Sequence, residues 1–236
     1  MPGPRLAQNN YIQPKTMIKK TLCTLTCSLL AVAAYAGTTP VYSGKATQPT
    51  VDPISPVLIS YDNVSLGYLY RSADFLGSDV DGHGAALNLE VSPVDHLYLT
   101  LGGSWTSLDI LGLDLDYWHG KAGIGGYIPL SENIHFVLEG GASYYNVNLG
   151  NFDVGTDDWG IYAMPHLRMK FGAFETHIGG TYDSNELAMS RYTAFARLLY
   201  EITPSLDVYA SVNRGFRHNS DFNTAWGVQA GLRFKF

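Results

Sequence analysis

The chain has 236 residues, a formal net charge of −6, 46% apolar residues and only 15% charged ones. That apolar content excludes wholesale disorder, and so few charges are unusual for a soluble globule. The acidic balance argues against a nucleic-acid partner, which would need a basic surface.

The front of the chain reads as an export signal. Lys19 and Lys20 form a positive region, residues 22–34 (LCTLTCSLLAVAA) an apolar core, and Ala34-Tyr35-Ala36 a small-x-small cleavage pattern before Gly37. The core is too short to cross a bilayer as a helix, which needs about 20 apolar residues. Residues 1–36 are therefore expected to be a cleaved signal peptide, with Met17 as the translation start. Cys23 and Cys27 both fall inside it, so the exported part offers neither a disulfide nor a thiolate metal site. Leu22 and Thr26 precede them where a lipoprotein signal would need a small residue. Loss of the signal leaves 11 basic residues against 21 acidic ones. Residues 37–61, with Pro40, Pro49, Pro53 and Pro56, read as an extended periplasmic lead-in, and 62–236 as the folded domain.

From Asn63 onward, apolar and polar residues alternate with the period of two that marks strands exposed differently on their two faces. The first strand sets Val64, Leu66, Tyr68 and Tyr70 on one face; the second sets Ala85, Leu87, Leu89 and Val91 against Asn88 and Glu90. The pattern recurs through Leu97–Trp105, Trp118–Ile128, Ile134–Tyr144, Trp159–Phe171, Phe174–Asp183, Tyr192–Ile202 and Val208–Phe216 to Trp226–Phe236, ten segments in all. Connections alternate in length. SPVD, PLSEN, FGA and TPSL are short turns, whereas SADFLGSDVDG, LDILGLDLD, NLGNFDVGTDD, SNELAMS and HNSDFN are expected to be long polar loops. An even number of strands with short turns at one end and long loops at the other is the pattern of a transmembrane barrel.

A soluble sandwich would alternate too, with its apolar face inward. The aromatic residues separate the two readings. Trp105, Trp118, Trp159 and Trp226 fall on the apolar face near the long-loop end. Phe136, Phe171, Phe174, Tyr200, Ile202, Phe234 and Phe236 fall on it near the short turns. Two aromatic girdles on one apolar band are what a bilayer interface selects. The expected fold is all-β: a transmembrane antiparallel up-and-down β-barrel of ten strands, with eight as the alternative.

The C-terminal QAGLRFKF places Gln229, Gly231, Phe234 and Phe236 in the spacing polar, x, Gly, x, x, aromatic, x, aromatic. It resembles the assembly signal of Gram-negative outer-membrane β-barrels, and the strand pattern from Asn63 to Phe236 looks most like their small OmpA-like, opacity and small porin types. The resemblance implies insertion by the barrel-assembly machinery, a multi-pass place in the outer membrane among lipid and lipopolysaccharide, extracellular loops and periplasmic termini.

The polar face carries mixed charge: Arg71, Glu90, Lys121, Glu139, Arg168, Glu175, Arg197, Glu201, Arg217 and Arg233, with Lys170 and Asp183. Ten strands lie near the eight-stranded size at which side chains fill a barrel. The sequence therefore points to a plugged or barely conducting lumen serving envelope structure, surface interaction or limited small-solute passage. A narrow anion-biased pore is the lesser reading. The expected loops are acidic and lack Lys and Arg, so divalent cations bridging lipopolysaccharide phosphates are candidate partners; a solvated, repulsive rim is the plainer reading. His135, His166 and His177 lie on the lumen face of consecutive strands, as satisfied histidines in preference to a metal site. His218-Asn219-Ser220 resembles the His-x-Ser of lipid A deacylases, but no acid orients the base from the last strand. Asp157-Asp158 with His218 or His83 would mimic an omptin site only loosely. An outer-membrane hydrolase is thus the alternative; the main reading is non-enzymatic, without cofactor or metal.

Overall fold

The computed structural model describes residues 59–75, 78–110, 113–149, 154–216 and 222–236. Ten strands account for nearly all of them. They are β1 (Asn63–Phe75), β2 (Ser78–Val94), β3 (Leu97–Ile110), β4 (Leu113–Ser131), β5 (Ile134–Leu149), β6 (Val154–Phe171), β7 (Phe174–Asp183), β8 (Tyr192–Thr203), β9 (Leu206–Phe216) and β10 (Phe222–Lys235). Each pairs antiparallel with its neighbours in sequence, and β1 closes against β10 into a barrel. The strand count is ten, not eight.

Four connections are two-residue turns: Asp95-His96, Glu132-Asn133, Gly172-Ala173 and Pro204-Ser205. Gly172 (φ 59°) and His96 (φ 68°) enter the left-handed region that tight hairpins use; histidine is among the few side chains that tolerate it. These turns share one end of the barrel with both chain ends of the domain, because Asn63 pairs with Lys235.

The opposite end departs from the sequence expectation. Much of what read as long polar loop is strand, with pairing that continues to Phe75↔Ser78, Ile110↔Leu113 and Leu149↔Val154. The reason lies in residues such as Leu108, Leu115 and Tyr117, which keep the alternation going through stretches otherwise rich in aspartate. The wall is consequently uneven. β4 has 19 residues, β6 has 18 and β2 has 17, whereas β7, β8 and β9 have 10, 12 and 11. About 9–11 residues suffice to cross the hydrocarbon layer, so the tall side projects beyond it.

The outer face is apolar. Leu66, Leu87, Leu101, Leu138, Ile161, Leu198 and Val212 are all exposed along its middle. Trp105, Trp118, Trp159 and Trp226 are exposed towards the long-loop end, and Phe136, Phe171, Phe174, Tyr200, Phe234 and Phe236 towards the turns. Trp105 and Trp118 face each other across β3 and β4, with ring centroids 6.3 Å apart. At the level of the tryptophans polar partners join the outer face. Trp105 Nε1 donates to Asp116 Oδ1 (3.0 Å), Tyr70 Oη donates to Asp81 Oδ1 (2.9 Å), and Tyr68 bonds His83. Arg214, exposed and paired in register with Trp226, lies at the same height. Amphipathic side chains of this kind settle where hydrocarbon gives way to headgroups.

Candidate functional site: the barrel interior

The inward positions carry the polar residues, and they form three storeys. Nearest the turns, buried charges are matched in pairs. Arg233 donates to Glu175 through Nη1 (3.0 Å) and Nη2 (2.5 Å) and to Asp207 Oδ2 through Nε (2.6 Å). The fork geometry of guanidinium suits this two-acid arrangement. Glu175 also meets His177 Nε2 at 2.6 Å. Arg168, 1% exposed, donates to Glu90 Oε1 (2.8 Å), while Asn63 Nδ2 donates to the other oxygen of Glu90 (3.0 Å). At the rim, Lys170 and Lys235 both reach Glu201 Oε2 (2.7 and 2.8 Å), and Lys235 lies 2.9 Å from Asp207.

Tyr61 completes this storey. It belongs to the stretch expected to run free as a lead-in, yet it is 4% exposed inside the barrel, and Ile59 is buried beside it. Its ring stacks on Tyr127 (4.2 Å) and Tyr98 (5.1 Å), its hydroxyl bonds His135 Nδ1 (3.0 Å), and the Arg168 guanidinium lies 4.5 Å over its face. An aromatic ring against a paired guanidinium gains cation–π attraction without adding a charge. The Tyr98 ring in turn lies against Gly125, where a Cβ would come within 2.0 Å of it.

The middle storey is a cavity of about 330 Å³. Glu139 lies at the wall, fully buried, accepting from Lys121 Nζ (2.8 Å), Tyr98 Oη (3.0 Å) and Tyr162 Oη (2.9 Å). Arg71 and Arg197 also line the cavity. Arg71 donates to Ser104 Oγ (3.3 Å) and lies 5.5 Å from the Tyr117 ring, and Arg197 lies 4.8 Å over Tyr209.

The upper storey is apolar. Residues 184–191, between β7 and β8, fold into the mouth instead of projecting away from it. Ala188 and Met189 are buried against Val80, Leu108, Tyr117 and Tyr145. Asp183 anchors the turn, accepting from Ser143 Oγ (2.8 Å), Tyr145 Oη (3.0 Å) and the Asn185 backbone N–H (2.9 Å). Asn185 Nδ2 donates to the Asp158 carbonyl (2.8 Å), and Tyr117 Oη donates to the Leu187 carbonyl (3.0 Å). The tall β2–β6 wall supplies most of the surface this segment packs on.

Of the other residues singled out, Gln229 lies inside, donating from Nε2 to Tyr209 Oη (2.8 Å), whereas Phe234 and Phe236 are exposed on the outer face. Gly231 sits at the closing seam, where a Cβ would come within 2.1 Å of the Leu66 carbonyl oxygen. The three histidines have separate partners: His135 meets Tyr61, His166 meets Arg168 Nε at 3.3 Å, and His177 meets Glu175, with the His166 and His177 ring centroids 6.0 Å apart. Among the described residues no cluster of His, Cys, Asp or Glu could hold a metal ion. Arg217, His218 and Ser220 lie outside the described residues. Sequence reading did not single out Tyr61, Tyr117, Tyr145, Ala188 or Met189. Tyr117 and Tyr145 sit at polar-face positions of the same alternation and were legible as lumen residues on that ground.

A closed antiparallel barrel with an apolar, doubly girdled exterior and a charged interior is a transmembrane β-barrel. Its fold resembles those of small outer-membrane barrels. It is similar to Neisserial surface protein A (12% identity over 74% of this chain and 96% of that one, TM-score 0.39). It is also similar to Ail, the attachment invasion locus protein of Yersinia pestis (15%, 73% and 97%, 0.37), and to outer membrane phospholipase A from Escherichia coli (12%, 80% and 95%, 0.40). No family model and no curated protein matches the sequence.

Proposed function

We propose that this chain is a non-enzymatic outer-membrane barrel that stabilises the envelope and displays a surface, and does not act as an open pore. The observation that carries the reading is that both mouths are filled: one by Tyr61 and the ion pairs around it, the other by residues 184–191. A ten-stranded barrel has little spare bore to begin with, which these side chains narrow further.

In this reading the two-residue turns and both ends of the domain face the periplasm, and the tall β2–β6 wall faces outward, as short periplasmic turns and longer outer segments do in barrels of this class. The barrel-assembly machinery would take up the chain through its last strand, with Phe234 and Phe236 on the lipid side. Asp81, Asp116, Asp157 and Asp158 put carboxylates at or above the tryptophan level on the tall wall. Divalent cations bridging lipopolysaccharide phosphates would find oxygen ligands there.

Planar-bilayer recording of the refolded protein tests the closed state. The expected result is a silent membrane; stepwise conductance of porin size would overturn the proposal.

A further inference from the structure

The charges around the central cavity do not cancel. Arg71, Lys121, Arg168 and Arg197 line it, against Glu90 and Asp183. Lys121 is held by Glu139 and Arg168 by Glu90. Asp183 is held by Ser143, Tyr145 and the backbone of Asn185, without a cation. Arg71 and Arg197 remain. Among the described residues neither forms an ion pair; each instead lies over a tyrosine face, Tyr117 at 5.5 Å and Tyr209 at 4.8 Å.

A half-buried guanidinium in a barrel lumen is costly without a carboxylate, and at the turn end the buried cations Arg168, Lys170 and Arg233 are each matched by an acid. Three acids converge on Arg233 and Lys235 alone. Two arginines left unneutralised beside a cavity of about 330 Å³ are thus a specific feature of the middle storey. Stacking on tyrosine also leaves the edge N–H groups of a guanidinium free to donate in the ring plane. From these observations we infer that the cavity binds a small oxyanion, a phosphate- or carboxylate-bearing ligand, with Arg71 and Arg197 as its cationic donors. Ser104, Ser190 and Asn213 line the same cavity, and such hydroxyl and amide groups can complete the oxygen contacts of an oxyanion.

The site goes beyond the closed-barrel reading and is tested separately from it. Protein is refolded into detergent with and without inorganic phosphate, so that entry past residues 184–191 does not limit loading. Phosphate binding is then followed by calorimetry and by the temperature at which the compact gel band converts to the unfolded one. Wild-type protein should bind one phosphate saturably and gain several degrees. Arg197→Gln and Arg71→Gln should each bind at least tenfold more weakly and lose most of that gain, while Arg197→Lys keeps part of it. In phosphate-free buffer both Gln variants should be at least as heat-resistant as wild type, because an uncompensated, half-buried lumen charge has gone. Their compact gel bands report folding independently of binding.

An equal phosphate effect on all the proteins, the signature of a general salt effect, would overturn the inference, as would the absence of saturable binding to wild type. A conducting barrel that still binds phosphate through these arginines would sink the closed-barrel reading and leave this site standing. A silent barrel that binds none does the reverse.

Discussion

The two ends of the barrel are closed by opposite chemistry. At the turn end the filling is largely electrostatic and comes mostly from strand side chains whose positions are fixed by register, with Ile59 and Tyr61 added from the segment before β1. At the far end it is apolar and comes from a connection, residues 184–191, laid against the tall side of the wall. The first kind of plug cannot leave without unpairing strands. The second is held by a few hydrogen bonds and the buried side chains of Asn185, Ala188 and Met189, so its release would leave the strand pairing intact. Uneven strand length makes this possible: the short β7–β9 side leaves a gap that its own connection fills, and the long β2–β6 side offers the surface on which it rests.

The sharpest way to break that contrast is Arg233→Met. It leaves Glu175 and Asp207 buried without their shared cation, and removing one partner of a buried ionic cluster costs about 3–5 kcal/mol. The expected outcome is a large fall in the temperature or denaturant concentration at which the compact gel band is lost. A fall of under 1 kcal/mol would show that the turn-end charges are not what closes that end.

Met189→Ala probes the other end. Met189 is 8% exposed in the apolar cluster, and truncating a buried methionine costs about 2 kcal/mol at the low end of the range for core truncations. Because the plug can yield locally, the loss should show first as faster proteolysis within 184–191, ahead of any change in barrel unfolding. If both transitions moved together, the segment would be part of the barrel's cooperative unit and the contrast would fail.

How much of this was legible beforehand follows from what alternation can and cannot report. Period-two patterning located all ten strands and the two girdles, because lipid selects the outward residue at every second position. It also put Arg168, Glu175 and Arg233 on one face. It could not say that Arg233 serves both acids: Asp207 is its register partner on β9, but Glu175 reaches it from β7, across β8 and β9. Aspartates in LDILGLDLD outweighed Leu108 and Leu115 in the reading of that stretch as loop, although the alternation never stopped. Residues 184–191 carry no repeat at all. Their inward fold depends on Asp183 and Asn185 bonding to the neighbouring wall, a tertiary event that local sequence does not announce. Tyr61 escaped for a similar reason, lying among prolines with its stacking partners on β3, β4 and β5.

The smallest effect is expected at the rim of the turn end, and it tests whether burial or charge itself sets the strength of that plug. Glu201 accepts from both Lys170 and Lys235 at 2.7 and 2.8 Å, a better count of partners than Glu90 has from cations, yet its side chain is 28% exposed. Water and salt screen pairs in such a place, and exposed ion pairs are worth about 0–1 kcal/mol. Lys235 keeps Asp207 at 2.9 Å when Glu201 is neutralised, and Lys170, which pairs with Glu201 alone, keeps the amide oxygen of the glutamine as an acceptor. Glu201→Gln should therefore lower stability by under about 1 kcal/mol, and by less still at high ionic strength. A loss matching that of Arg233→Met would mean that the rim pairs are as protected from solvent as the inner ones, and that the turn-end plug extends to the membrane surface as a single charged unit.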